Sequence, residues 1–180
     1  LTVNQFDGGR KFISGNRCSR PLGKEKVENP DLMTYKYQKL RALKGKGEGD
    51  GSRGRIGIPF GLNMYENLPF WFAFFTRLNF EVVLSPESSR KLYLKGQHTI
   101  PSDTVCYPAK LLHGHVEALV EAGVDAIWYP CMSYNNDEGI GDNHFNCPVV
   151  AYYPELLAAN MPVLKQTRFL DPYVGLWRRK

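Results

Sequence analysis

Apolar and polar residues follow two different periods along this chain, and from Arg55 onward the two periods alternate. Three short apolar runs, bounded by glycine, proline or serine, predict buried strands at 55–60, 80–85 and 125–130. Three segments with apolar residues at helical spacing predict helices at 66–79, 88–96 and 107–123. Alternating strands and helices are typical of a parallel sheet covered by helices on both faces.

The same patterns extend the prediction to both ends of the chain. Residues 1–20 predict a strand pair around Gly8 and Gly9, and residues 30–43 predict a short helix. At the other end, 147–154 is a candidate fourth strand of the sheet, followed by a short helix at 155–160. We therefore predict an α/β three-layer sandwich with a mostly parallel, Rossmann-like sheet, preceded by a small β-containing N-terminal appendage.

A glycine-rich segment, "KGKGEGDGSRGR" at 44–55, separates these two parts and is typical of a linker. We place the domain boundary there, with an appendage at 1–54 and the α/β domain at 55–180. Residues 1–54 carry 12 Lys or Arg against 6 Asp or Glu. The positive net charge of the chain, +5, therefore comes entirely from this part. Because the predicted α/β body has no basic excess, the charge does not favour nucleic-acid binding.

Composition restricts the cellular setting. No apolar run approaches the roughly 20 residues that span a bilayer, so we expect no membrane partner. Four cysteines in 180 residues are not needed as disulfide staples, which favours a reducing, cytoplasmic location. Because the chain begins with leucine rather than methionine, we expect it to be a piece of a larger protein, so the absence of a signal peptide says little about that protein.

Three of the cysteines lie within two residues of a proline and near the end of an apolar segment. Cys131 follows the strand 125–130, and Cys106 lies at the start of the helix 107–123. In a right-handed crossover these two positions share the carboxyl edge of the sheet, where ligands bind in such folds. Cys147 conflicts with this arrangement, since a parallel strand after it would begin at the opposite edge, unless that segment is not a parallel strand or the loop before it returns.

The spacing of these cysteines limits the cofactor. They are separated by 25 and 16 residues without a C-x2-C pair, which disfavours a structural zinc site. Three thiolates from separate segments suit an iron–sulfur cluster with one iron left open. The alternative is that free cysteines are simply small buried residues. The residues alone leave both interpretations open.

The histidines and the aromatic helix carry weaker signals. His113 falls on the polar side of its helix with Glu117, and His115 borders the apolar stripe, so a solvated or hydrogen-bonded core role is the default for both. His144, in the loop beside Cys147, is a candidate for supporting a cluster or contacting a substrate. The aromatic helix presents a wide apolar face that we interpret as core: Phe70, Trp71, Phe74, Phe75 and Leu78.

Several long motifs occur in order along the chain: "GIPFGLNMYENLPFWFAFFTRLNFEVVLS", "IPSDTVCYPAKLLHGHV", "IWYPC" and "DNHFNCPVV". Together they resemble the conserved uncharacterised domain of large activase-related proteins of the 2-hydroxyacyl-CoA dehydratase system, the CoA-substrate-specific enzyme activase family. The resemblance covers about residues 55–165, and "FDGGRKFISGNRCSR" resembles the stretch before it. In that family, ATPase modules lie upstream, and none of their phosphate-binding motifs occurs here.

The resemblance implies a domain related to the iron–sulfur subunits of the dehydratases, with Cys106, Cys131 and Cys147 as ligands of a cluster of the 4Fe–4S type. It also implies that Cys18 closes a cysteine-rich metal motif whose other members lie upstream of this chain. The expected function is an iron–sulfur electron-transfer or dehydratase-like module in anaerobic metabolism, inactive as a separate piece. The implied partners are the ATPase modules of the larger ATP-dependent activase, a dehydratase subunit or an acyl-CoA.

A function of another class stays open at this point. The domain would then be a noncatalytic interaction module that docks the ATPase modules onto a partner dehydratase. The two hypotheses differ in whether the three cysteines bind iron.

Overall fold

Six strands and five α-helices form the part of the chain that the computed structural model describes, which comprises residues 1–15, 29–43 and 50–176. The strands are β1 Thr2–Gln5, β2 Lys11–Ser14, β3 Arg55–Ile58, β4 Glu81–Leu84, β5 Ala126–Trp128 and β6 Arg168–Leu170. The helices are α1 Leu32–Arg41, α2 Asn63–Arg77, α3 Arg90–Gly96, α4 Tyr107–Glu121 and α5 Pro148–Asn160.

The chain divides into two compact units, Leu1–Lys36 and Tyr37–Lys180. In the first unit, β1 and β2 pair antiparallel, with Thr2 opposite Ser14. The turn between them uses Gly8 and Gly9 at φ values of 77° and 75°, a conformation that glycine adopts without a steric penalty. The small N-terminal β element predicted from the sequence is thus confirmed. Residues 44–49 of the predicted linker lie outside the described residues.

The second unit is built on a four-stranded parallel sheet in the order β4-β3-β5-β6. Helix α2 connects β3 to β4, α3 and α4 lead from β4 to β5, and α5 leads from β5 to β6. The order reverses between β3 and β5, because the chain first moves to one side of β3 and then returns past it. This is the 2-1-3-4 start of a flavodoxin-like doubly wound sheet.

The register of the sheet shows that helices cover both faces. Gly57 and Ile127 are partners in neighbouring strands, and a Cβ at Gly57 would lie 3.1 Å from side-chain carbons of Leu119 in α4 and Val124. On the opposite face, Trp128 packs against Trp71 of α2 with ring centroids 5.0 Å apart. The predicted three-layer α/β fold is therefore confirmed, with the core lying on both sides of the sheet.

The predicted fourth strand at 147–154 is wrong, because this segment forms most of the helix α5. The residues of α5 that are buried are Ala151, Tyr153, Pro154 and Leu157. Ala151, Pro154 and Leu157 follow one another at intervals of three residues and Tyr153 lies four before Leu157, which places all of them on one side of a helix. The strand that does complete the sheet is β6, which pairs in parallel with β5.

The interpretation of the aromatic helix as core holds for only part of its apolar face. Trp71 and Phe75 are buried, but Phe70, Phe74 and Leu78 remain exposed over 49%, 43% and 37% of their surface. The exposed rings of Phe70 and Phe74 stack on each other with centroids 6.2 Å apart. The apolar stripe of α2 is wider than the sheet surface that it covers.

Candidate functional site

Two of the three candidate cysteines occupy equivalent positions at the starts of helices. Cys106 is the N-cap residue of α4 and Cys147 is the N-cap residue of α5. Both have extended backbones, with φ of −62° and ψ of 150° and 153°, and each is followed by a proline in the first helical turn. Neither side chain accepts a capping hydrogen bond, and both residues are exposed. Both thiols are therefore free to bind something else.

Cys131 lies beyond the carboxyl end of β5 and is held by the segment that follows β6. Its backbone N–H donates to the Pro172 carbonyl at 2.9 Å, and its carbonyl accepts from the Val174 N–H at 3.0 Å. The residue is fully buried. Burial raises the pKa of the Cys131 thiol, the nearby charges of Glu155 and Asp171 raise it further, and the Glu155 backbone N–H opposes them.

The topology brings all three cysteines to one edge of the sheet. Helices α4 and α5 each precede a parallel strand and return to its start, so both helices begin at the carboxyl edge. Cys131 reaches the same edge directly at the end of β5. The conflict over Cys147 disappears because the segment after this residue is a helix and not a parallel strand.

Two buried tyrosines, Tyr129 and Tyr153, lie in the electrostatic neighbourhood of the thiols. Tyr129 is fully buried, and its hydroxyl has no hydrogen-bond partner among the described residues. The pKa of this hydroxyl is raised first by burial and then by the charges of Tyr153, Cys131 and Cys147. Burial also raises the pKa of Tyr153 to about 12, with a further contribution from Cys106. Charge on Cys131 and Cys147 thus disfavours ionisation of Tyr129, and charge on Cys106 disfavours ionisation of Tyr153.

The hydrogen bonds of Tyr153 extend this group into α4. Its hydroxyl lies 3.0 Å from His113 Nε2, and the Thr99 hydroxyl lies 2.7 Å from His113 Nδ1. Since Thr99 donates its own proton to the Gly96 carbonyl, it accepts from Nδ1–H. Nε2 is then the acceptor of the Tyr153 proton. This arrangement fixes the direction of the Tyr153 O–H bond.

Both histidines of α4 are fully buried and hydrogen-bonded, which corrects the expectation that His113 faces the polar side of the helix. The Ser85 hydroxyl lies 2.7 Å from His115 Nδ1, and the Ser88 hydroxyl lies 2.9 Å from Nε2. Burial lowers the pKa of each histidine to about 4, with smaller contributions from His98 at His113 and from Arg41 at His115. Both are neutral members of the core at neutral pH.

The loop from Met132 to Asn146 is closed on itself by polar contacts. Tyr134 and Phe145 form an antiparallel bridge, and the Asn135 side chain donates to Asn146 Oδ1 at 2.7 Å. His144 Nε2 lies 3.5 Å from an Asp137 carboxylate oxygen, and its ring centroid lies 5.8 Å from that of Tyr134. These contacts position His144 within the loop, and its predicted role beside the cysteines stays a prediction.

The three thiols share an edge without forming a preassembled metal site. Across residues 1–15, 29–43 and 50–176, no group of three or more His, Cys, Asp or Glu side chains is arranged to hold a metal ion. Cys18, the fourth cysteine, lies outside the described residues. The donor set at the edge nevertheless fits an iron–sulfur cluster in its chemistry, since it consists of thiols near a buried hydroxyl without a partner.

Sequence reasoning did not identify the two tyrosines. Tyr129 lies two residues before Cys131 in "WYPC", and Tyr153 lies in "VVAYYP". For Tyr129 the sequence did contain a signal, because this tyrosine lies in a short apolar strand. A hydroxyl buried in such a strand needs a hydrogen-bond partner, which marks the position as unusual. The helical spacing that places Tyr153 beside His113 was obscured by the assignment of 147–154 as a strand.

Among the described residues, no helix has the length and apolar character needed to cross a membrane. Comparisons with curated proteins and with solved structures give no match. The model of one protein family does match, over residues 55–180, and its description is the CoA enzyme activase uncharacterised domain (DUF2229). This match includes the whole parallel sheet and all three cysteines of its carboxyl edge. The chain therefore belongs to the family of the CoA enzyme activase uncharacterised domain.

Proposed function

We propose that the α/β unit is an iron–sulfur-binding module of an activase-related protein, with Cys106, Cys131 and Cys147 as the protein ligands. One observation carries the proposal: two helix starts and one strand end bring three thiols to the same edge of the sheet. Ligands of doubly wound sheets bind at this edge.

The chemistry of the three positions favours a cluster that carries negative charge. Thiolates are the ordinary ligands of iron–sulfur clusters. The N-termini of α4 and α5 carry partial positive charge from the helix dipole, which stabilises an anion beside Cys106 and Cys147. When bound, a cluster with three protein thiolates supplies electron transfer or an open iron that coordinates a thioester carbonyl.

The surrounding residues have their own part in this proposal. Cys131 is fully buried, so one side of the site is shielded from water. Tyr129 has a buried hydroxyl without a partner, and its proton is available for a hydrogen bond to a sulfur atom. Tyr153 is fixed by His113 at 3.0 Å and lies in the electrostatic neighbourhood of Cys106. We expect Tyr129 to stabilise charge on the dry side of the site, and Tyr153, whose proton is donated to His113, to help hold that side in place.

Anaerobic reconstitution with iron and sulfide tests the proposal. The wild-type chain should develop a broad visible absorption band, and the triple variant Cys106→Ser, Cys131→Ser, Cys147→Ser should not. Cys18→Ser is the matched control and should retain the band, because it removes a cysteine that is not among the proposed ligands. Loss of the band in the control, or its persistence in the triple variant, would show that the ligands are assigned wrongly.

A noncatalytic docking domain is the second candidate function, and the exposed stripe on α2 favours it. Phe70, Phe74 and Leu78 present an apolar surface of the kind that a protein partner covers. In this hypothesis the partners are the ATPase modules of the larger protein or a dehydratase subunit. Two results together would favour docking over the cluster. The chain would bind its partners through this stripe, and its cysteines would hold no iron under anaerobic conditions.

A further inference from the structure

A pocket of about 260 Å³ opens between the segments that follow β3 and β4 and the first half of α4. Both segments leave the carboxyl ends of their strands, so the pocket lies at the edge of the sheet where ligands of such folds bind. Its described lining is mostly aromatic and aliphatic and contains no charged side chain. The volume is below the roughly 300 Å³ at which drug-sized ligands begin to fit, which favours a single-ring compound.

Two partly exposed tyrosine rings belong to the lining. Tyr37 and Tyr65 are stacked, with ring centroids 6.1 Å apart and planes inclined by 18°. The buried ring of Phe60 packs against both, at centroid distances of 5.5 and 5.4 Å. Leu62 and Leu111 add aliphatic surface. Because aromatic rings attract one another beyond the area that they bury, this lining favours an aromatic ligand over an aliphatic one of the same size.

Leu62 has a backbone conformation that residues with a Cβ rarely adopt. Its φ is 47° and its ψ is −133°, at the turn between β3 and α2. Such strain persists only where the surrounding structure enforces it, and strained residues cluster at ligand sites. The strained turn places Leu62 in the lining of the pocket before any ligand arrives.

A chain of hydrogen bonds ends on the Ser88 hydroxyl, which belongs to the same lining. The Phe60 N–H donates to Ser85 Oγ at 2.7 Å, and Ser85 in turn donates its proton to His115 Nδ1 at 2.7 Å. His115 therefore carries its proton on Nε2 and donates it to Ser88 Oγ at 2.9 Å. Ser88 is exposed, and its own proton has no acceptor among the described residues. This proton is available to a ligand.

The other polar side chains of the lining are already engaged. The Tyr37 hydroxyl is hydrogen-bonded to Glu87. His115 is fully buried, and both of its ring nitrogens are used within the protein. Tyr65 takes part in an interaction of its own. Ser88 is therefore the side-chain donor that the described lining leaves for a ligand.

The charges nearest the pocket oppose one another. Burial raises the pKa of the Tyr37 hydroxyl, the charge of Glu87 raises it further, and the charge of Arg41 opposes them. The Arg41 guanidinium lies 5.4 Å from the centroid of the Phe60 ring and donates to the Ser85 carbonyl at 2.9 Å. A charged ligand would leave water for an apolar pocket that holds no ion-pair partner, which is costly. An uncharged ligand is therefore favoured.

We propose that this pocket binds a small, uncharged aromatic compound whose acceptor oxygen receives the Ser88 proton. The ring of the ligand packs against Tyr37 and Tyr65, and the size of the pocket allows one ring with a short substituent. This binding activity goes beyond the cluster and does not depend on it, because none of the three cysteines lines the pocket.

NMR titration of the whole chain with three probes tests the proposal. Acetophenone carries a carbonyl on an aromatic ring, cyclohexyl methyl ketone carries the same carbonyl on a saturated ring, and benzoate carries a charge. Acetophenone should bind and shift the methyl signals of Leu62 and Leu111. The saturated ketone should bind about three- to tenfold more weakly, and benzoate at least about tenfold more weakly. Equal or tighter binding of either probe, or no binding of acetophenone, would overturn the proposal.

Two variants locate the binding. Ser88→Ala removes the donor and should weaken acetophenone binding about three- to tenfold. Its matched control is Ser102→Ala, at an exposed serine outside the pocket whose hydroxyl lies 2.9 Å from that of Thr104, and it should bind as the wild type does. Tyr37→Leu removes a ring and should also weaken binding about three- to tenfold, whereas Tyr37→Phe keeps the ring and should retain the affinity.

Two further readouts keep this test decisive. Thermal unfolding shows whether each variant folds, and if Tyr37→Leu does not, the Ser88→Ala result at its exposed position decides. Acetophenone affinity should also be the same in the metal-free triple Cys→Ser variant, so a failure of the cluster proposal and a failure of this one are separate results. Wild-type affinity in both Ser88→Ala and Tyr37→Leu would show that acetophenone binds elsewhere and would overturn the assignment of this pocket.

Discussion

At the scale of single residues, two glycines decide how closely α3 and α4 approach. A Cβ built at Gly114 would overlap the Leu92 carbonyl oxygen, and one built at Gly96 would overlap the backbone nitrogen of Gly114. Both obstacles are backbone atoms, which cannot rotate away as a side chain can. The two helices are thus in contact through their backbones at this point.

Gly114→Ala should therefore destabilise the protein by about 3 kcal/mol or more, since overpacking against a rigid backbone is at the upper end of such effects. The control is Gly141→Ala, because a Cβ at Gly141 meets nothing within 4 Å. Urea unfolding measures both changes. If Gly114→Ala unfolds at the same urea concentration as Gly141→Ala, the close approach of α3 and α4 is wrong.

The buried histidines make the stability of the fold depend on pH. Burial lowers the pKa of His113 and His115 to about 4, whereas an exposed histidine titrates near about 6.5. The unfolded chain therefore takes up these protons first, and stability falls as the pH drops from about 6.5 toward 4. From about pH 7 to about pH 5 the loss is on the order of 2 kcal/mol for each histidine.

His115→Gln should reduce this pH-dependent loss by about half, whatever it does to stability at neutral pH. Urea unfolding at the two pH values measures the difference. His98→Gln is the control. Because His98 is exposed, this substitution should leave most of the pH-dependent loss of stability in place. An unchanged loss in His115→Gln would contradict the assignment of His115 as a buried neutral group.

At the scale of elements, the helices could be predicted more reliably than the strands of the second half. Helix α4 has Pro108 in its first turn and Gly123 just beyond its end, and both signals are local. Segment 147–154 has two valines and two tyrosines, which favour a strand locally, but its burial is set by packing against the sheet. The strand β6 has only three residues, too few for any period to show.

The candidate site was predictable to the extent that local signals defined it. The proline signals indicated that Cys106 begins a helix, and the apolar run before Cys131 indicated a strand end. The position of Cys147 depended on whether 148–160 is a helix, which tertiary packing decides. The hydrogen bond between His113 and Tyr153 joins two helices. A contact between residues 40 positions apart cannot be predicted from the local sequence around either residue.

The N-cap positions of Cys106 and Cys147 predict how these residues contribute to stability without metal. Serine is a better N-cap than cysteine, so Cys106→Ser and Cys147→Ser should keep the metal-free stability or raise it by up to about 1 kcal/mol. Cys131→Ser should lower it by about 1–3 kcal/mol, because it buries a hydroxyl in a fully enclosed position. Urea unfolding of the metal-free variants measures this. A large loss of stability in Cys147→Ser would contradict the capped-helix assignment.

At the scale of the whole molecule, the fold uses one edge of its sheet for all its candidate chemistry. The three cysteines lie at the carboxyl ends of the strands, and the two buried tyrosines lie in their electrostatic neighbourhood. This arrangement follows from the parallel topology, in which every helix that leads into a strand begins at that edge. The family membership concerns the same part of the chain, residues 55–180.

The iron and sulfide bound per chain after anaerobic reconstitution, compared across single-cysteine variants, test most directly whether the three thiols form one site. Cys106→Ser, Cys131→Ser and Cys147→Ser should each lose most of the bound iron, and combining them should add little, because ligands of one cluster are not additive. Cys18→Ser should bind as much iron as the wild type. Independent partial losses that sum across the three variants, or full iron in any one of them, would contradict a single three-cysteine site.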